Sequence, residues 1–209
     1  MSENQLRVGM GTFADYITAR AGGRMDWLAK ARRSRASDYV AGPGYYDSWV
    51  RAARNGRMTN TDGQVLADVA MKQRLGHRRE NYEALSASWI SWLGPAPQTF
   101  VDVGSAVWTS GPLEVTIRPQ FGLRRSDGGV DVVWAYLKST PLEVDAANAA
   151  LRLMEMQRDA LHPEGKPVVL DVRQQRAFRR PSRWRQGFDG WVISEAVGLA
   201  ALWDWSAAS

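Results

Sequence analysis

The 209-residue chain has no cysteine and only two histidines. The first absence excludes disulfide staples, thiol chemistry and cysteine-type zinc sites, and it suits a reducing cytoplasm. The second leaves His77 and His162 as the only imidazoles. His77 and Glu80, one turn apart, offer two ligands toward a metal site, but no third is indicated. His162 precedes Pro163 at a helix end, where a cation suits the dipole. Lysine is scarce too: of 27 basic residues only Lys30, Lys72, Lys138 and Lys166 are lysines. No long apolar run follows Met1-Ser2-Glu3-Asn4, so no signal peptide is expected. The most apolar segment, 191–203, is interrupted by Glu195 and too short to cross a bilayer. No membrane partner is expected, and the cytoplasm is the expected location.

What is present is ordinary for a globular protein: 44% hydrophobic and 23% charged residues, enough chain to bury a full core. The net charge of +5 is modest. Arginine's planar fork suits phosphate contact, yet a GC-rich genome produces the same arginine bias. Charge therefore argues about association and not about fold.

The first forty residues carry helical spacing (Phe13, Tyr16, Ile17; then Met25, Trp27, Leu28, Ala31) broken at Gly22-Gly23. Gly9-Met10-Gly11 shows neither the strand nor the further glycines of a dinucleotide loop. Gly42-Pro43-Gly44 lacks a phosphate loop's lysine. Both read as turns. Three helices follow over 45–55, 61–76 and 78–93, the second opened by Thr61-Asp62-Gly63-Gln64 as a capping box. Beyond Pro97 the period changes to two. Phe100 to Trp108 begins the strand region, Leu113, Val115 and Ile117 alternate with polar residues, and 130–137 is apolar on both faces apart from Asp131. Thr140-Pro141-Leu142-Glu143 reads as a second capping box, opening a helix over 141–161 that carries Val144, Ala147, Leu151, Met154 and Leu161. A strand at 167–172 turns back through Ala177-Phe178, a basic segment occupies 179–185, and an apolar helix closes the chain over 192–205. Strands 113–118, 130–137 and 167–172 are expected in one sheet, with helix 141–161 packed on it.

The order helix, three strands, helix, strand between Arg78 and Asp171, with Lys138 ending the third strand, resembles the PD-(D/E)XK nuclease core over less than half the chain. That resemblance implies an α/β or α+β fold with a mixed β-sheet core. It divides the chain into an N-terminal helical lobe (1–95, its last helix 78–93 on the core), a nuclease-like core (96–178) and a basic segment plus C-terminal helix (179–209). In the family the second strand supplies an aspartate, and the third an acid and a lysine two residues apart, on one strand face. Gln120, Tyr136 and Lys138 stand at or near those positions. Two acids are missing, and Mg²⁺ requires charged oxygen ligands. Asp131 cannot substitute, being an odd seven residues and roughly 23 Å from Lys138. Glu114, Asp102, Glu80 and Glu83 are the remaining acids to consider.

The function implied is a nuclease-like scaffold without an intact metal site, acting as a nucleic-acid-binding or assembly module. Its phosphate contacts would be Arg118, Arg124, Arg125, Lys138, Arg179, Arg180, Arg183 and Arg185, with Trp184 beside them. One alternative is an active Mg²⁺-dependent nuclease using Glu114, Gln120, Tyr136 and Lys138. Another is a non-enzymatic subunit that docks a protein through the Trp-rich C-terminal helix. No cofactor is expected except Mg²⁺ under the nuclease alternative. Of the ten tryptophans, Trp49, Trp89, Trp92 and Trp134 fit core packing. Trp27 and Trp184 lie among basic residues, as base-stacking rings do and as protein-binding hot spots also do.

Overall fold

The computed structural model describes residues 5–19, 21–36, 44–95 and 98–205. Met1 to Asn4 and the Gly42-Pro43 turn lie outside them. Among the described residues the chain is a mixed α/β protein with two sheets. Five strands, β2 (Thr99–Val101), β5 (Phe121–Arg124), β6 (Val130–Tyr136), β7 (Gly165–Asp171) and β8 (Arg176–Arg179), are hydrogen-bonded in that order. β6 and β7 are parallel, joined across one face by α6 (Val144–Met156) and α7 (Arg158–Leu161), and the other neighbours are antiparallel. A parallel pair needs such a crossover, which is why a helix separates these two strands.

β6 is buried along its whole length, as expected of a central strand. Its alternation divides two hydrophobic cores. Val132, Trp134 and Tyr136 face α1 (Met10–Thr18), α6 and α8 (Phe188–Trp205). Val133, Ala135 and Leu137 face α3 (Asp47–Thr59), α4 (Asp62–Met71) and α5 (Gly76–Leu93). Trp89 of α5 lies 4.5 Å from the Phe121 ring and at a right angle to Trp49, so the helices of 47–93 close one face of the sheet. Gly122 is required by close approach: an added Cβ would run into the Val101 carbonyl of β2.

A second sheet has the order β1 (Leu6–Gly9), β4 (Leu113–Ile117), β3 (Ala106–Ser110), with β1 parallel to β4. This corrects three expectations. Residues 6–9 form a strand, so the N-terminal part is not helical throughout. The run 100–108 is two strands in different sheets. Strand 113–117 does not share a sheet with 130–136, because the chain changes sheets at Arg118-Pro119-Gln120.

Proline explains that change. Extending the β5–β6 register two residues beyond Phe121↔Val133 would set Pro119 opposite Ala135, and a prolyl nitrogen cannot donate to a ladder. The Gln120 side chain takes over: its Oε1 accepts the Ala135 N–H at 2.7 Å and its Nε2 donates to the Ala135 carbonyl at 3.3 Å.

Neither expected capping box forms. Thr61 makes no capping bond, and Asp62 instead accepts the Arg57 Nε–H at 2.8 Å. The helix expected from Pro141 begins at Val144, because the Leu142 N–H is drawn to buried Asp171 at 2.9 Å. Leu151 and Met154 are fully buried as expected, whereas Val144 is 45% exposed and lies off the buried stripe.

Candidate functional site

A cleft of about 800 Å³ lies beside the junction of β1 and α1. Leu6 and Val8 point into the core while Arg7 and Gly9 point out, the alternation of a half-buried strand. β1 then passes directly into α1. Gly9 is the N-cap in an extended conformation, with no capping side chain and no acid in the first turn. Gly9, Met10, Gly11 and Thr12 line the cleft. The Gly9-Met10-Gly11 segment, expected to be a turn lacking a preceding strand, is therefore a strand-to-helix junction.

Around this junction stand Thr116 and Arg118 at the end of β4, Trp134 and Lys138 from β6 and the residues after it, and Trp27 and Lys30 from α2 (Arg24–Ala36). In open α/β sheets the crevice beyond the carboxyl ends of strands is the usual ligand site. Four cationic side chains (Arg7, Lys30, Arg118 and Lys138) line the cleft, and Asp15 is the one lining acid among the described residues. Lys138 is ion-paired with Asp15, and Arg7 with Glu114 at 2.5 Å. Lys30 and Arg118 are exposed and form no ion pair among the described residues.

The positions that resemble metal ligands do not fit Mg²⁺. Gln120 uses both side-chain atoms on the backbone of β6. Tyr136 is 4% exposed, and burial, then the charges of Asp15 and Asp171, hold its phenol far above the ordinary tyrosine range and neutral. Glu114 belongs to the other sheet, tied to Arg7. Asp171 accepts the N–H groups of Leu142 and Gln174. One carboxylate already paired with a lysine is a poor cage for a cation that takes hard, charged oxygens. Among the described residues no three of His, Asp and Glu converge. No step through a metal follows from this arrangement.

The arginines proposed from sequence separate into two groups. Arg118 and Lys138 share the cleft. Arg125 and Arg179 instead meet at buried Asp131, at 3.0 and 2.8 Å, near the other end of β6. Arg180 joins Glu155 at 3.0 Å, and these side chains border a second cavity of about 540 Å³ with Arg152, Arg158 and Lys166. Carboxylates neutralise most of that charge. Arg152 is held by Asp189, whose carboxyl is in turn pulled below its ordinary value by that hydrogen bond. Arg124, exposed, donates to the Gly128 carbonyl at 3.1 Å.

Trp184 is not a free stacking platform. It stacks on Phe188 at 4.9 Å and donates its indole N–H to Glu155 at 2.8 Å. Arg183 and Arg185 are exposed and line neither cavity. Sequence reasoning missed Arg7, Asp15 and Lys30, which lie more than a hundred residues from Lys138. The signal was the apolar–polar alternation of Leu6-Arg7-Val8 before Gly9.

Compared with known proteins, the chain matches no family model and no curated protein. No helix among the described residues is long and apolar enough to cross a membrane.

Proposed function

We propose that this protein binds nucleic acid through phosphate contacts in the cleft at the β1–α1 junction, on a nuclease-like scaffold that lacks a working metal site. One observation carries the reading: among the described residues, four cationic side chains from four separate parts of the chain line a cleft with a single lining carboxylate, and two of them, Lys30 and Arg118, form no ion pair there. Folding like charges together costs free energy, and an anionic ligand offsets that cost. Lys30, Arg118 and Lys138 are the contacts, and the glycine-flanked first turn of α1 adds backbone donors. The Arg125–Arg179–Arg180 group contributes less, since its charge is neutralised internally. A cytoplasmic setting belongs to the same proposal.

The test is a titration of labelled DNA and RNA at several salt concentrations. Affinity should fall steeply with salt as counterions are released. Arg118→Ala and Lys138→Ala should each flatten the slope of log K against log salt by about 0.7–0.9. Arg183→Ala with Arg185→Ala should change it less. Absence of binding at any salt, or cleft variants that bind unchanged, refutes the proposal.

A second reading has its own observation. Helix α8 exposes Ile193 and Val197 one turn apart while burying Val192, Ala196 and Leu199. A protein-binding subunit would use that stripe rather than Trp203, which packs against the core. Concentration-dependent mass of the purified chain, lowered by Ile193→Asp, would favour it.

A further inference from the structure

We infer that the cleft takes single-stranded nucleic acid, with an unpaired base seated against Trp27. The inference rests on the phosphate-binding reading and adds the class of strand. Trp27, Trp134 and Trp203 line the same cleft as Lys30, Arg118 and Lys138. Sequence alone placed Trp27 beside basic residues without saying what it faced. Helix α2 now settles that: Trp27, Lys30 and Ala31 lie three and four residues apart and so share one helical face, the one toward the cleft.

Trp27 is only partly buried. Its ring meets Tyr16 in a T-shaped contact at 5.7 Å and 61°, which holds the indole beside the core. Trp134, nearly fully buried, stands where a Cβ added to Gly11 would meet it, so it shapes the cavity more than it offers a face. A cleft of about 800 Å³ is the size that encloses a compact ligand.

Duplex nucleic acid keeps its base faces stacked inside and shows only edges in its grooves. An aromatic ring inside a concave, cationic cleft has no partner on a duplex. An unpaired base offers a π-face while its neighbouring phosphates reach the cations, the pairing by which single strands are held without sequence preference. Cations from three parts of the chain, α2 and the ends of β4 and β6, exceed what one monophosphate needs. They suit consecutive phosphates of a strand.

The experiment compares four ligands with the full chain in one buffer: oligothymidylate, a hairpin duplex of equal phosphate number, the same single strand with abasic positions, and thymidine monophosphate. Oligothymidylate should bind tightest. Abasic positions should weaken it about five- to a hundredfold, the range of one base–aromatic stack. Trp27→Ala should remove that difference and Trp27→Phe should keep most of it, with thermal melts checking that both variants fold. If the duplex or the monophosphate binds as tightly as the strand, or if abasic and base-bearing strands bind alike to the wild type, the single-strand inference fails while phosphate binding stands. If none of the four binds at low salt, the phosphate reading fails with it.

Discussion

Asp15 is the one acid among the described residues lining the cationic cleft, and replacing it tests the electrostatic argument most directly. Its carboxylate pairs with Lys138, so a phosphate entering the cleft competes for that lysine and meets a like charge. The side chains of Asp15 and Lys138 are 21% and 46% exposed, which calls for screening close to that of water. A unit charge about 6 Å from a phosphate, at an effective dielectric constant near 60, repels it by about 1 kcal/mol. Asp15→Asn keeps the shape and removes the charge. Affinity for a short single strand should therefore rise about fivefold at low ionic strength, and the gain should shrink toward high salt. Folding should lose little, because an ion pair this exposed is worth about 0–1 kcal/mol. The assay is fluorescence anisotropy at several salt concentrations beside a thermal melt, with Lys138→Ala in both backgrounds. A double-mutant cycle should show coupling, Lys138→Ala costing more once Asp15 no longer offsets the lysine. Unchanged or weaker binding by a normally folded Asp15→Asn would refute the cleft as the phosphate site. Mg²⁺-dependent cutting that Asp15→Asn abolishes would replace it with a metal-dependent nuclease.

Two further predictions concern the scaffold. Leu151→Ala removes about three methylene equivalents at about 0.8 kcal/mol each. With the cavity left behind, the loss should be about 3–4 kcal/mol. Val144→Ala on the same helix should stay within about 0.5 kcal/mol, as exposed positions do. Urea melts of both variants separate them, and equal shifts would show that α6 packs through another face. Asp189 has a depressed folded-state pKa because Arg152 donates to it, so its stabilising effect is present above the unfolded value and lost as pH falls through the folded one. The gap between wild type and Asp189→Asn in urea melts should stay constant at pH 5–7 and close below about pH 4. A gap unchanged at pH 3 would mean the pair adds nothing in solution.

Local pattern was enough for much of the architecture. The period of two placed a strand near 113–117, a run apolar on both faces placed one near 130–136, and the apolar stripes placed the helices of 47–93 and the crossover helix that buries Leu151 and Met154. These features are legible because burial on one face repeats at the period of the element itself. Absence of cysteine was equally final. Cap geometry was not legible: Thr61 and Thr140 have the residues of capping boxes, but Arg57 and Asp171 engage the neighbouring groups first. Such competition is tertiary. The two-sheet division depended on which strand β1 joined and on Gln120 standing in opposite Ala135, neither of which leaves a local trace. The cleft is the furthest case. Lys30, Arg118 and Lys138 lie on three elements with no common spacing, and only the parallel pairing of β1 with β4 and the seating of α1 on α6 bring them together. Side-chain chemistry was written in the sequence, but which charges would meet a carboxylate and which would stay free was decided by long-range packing.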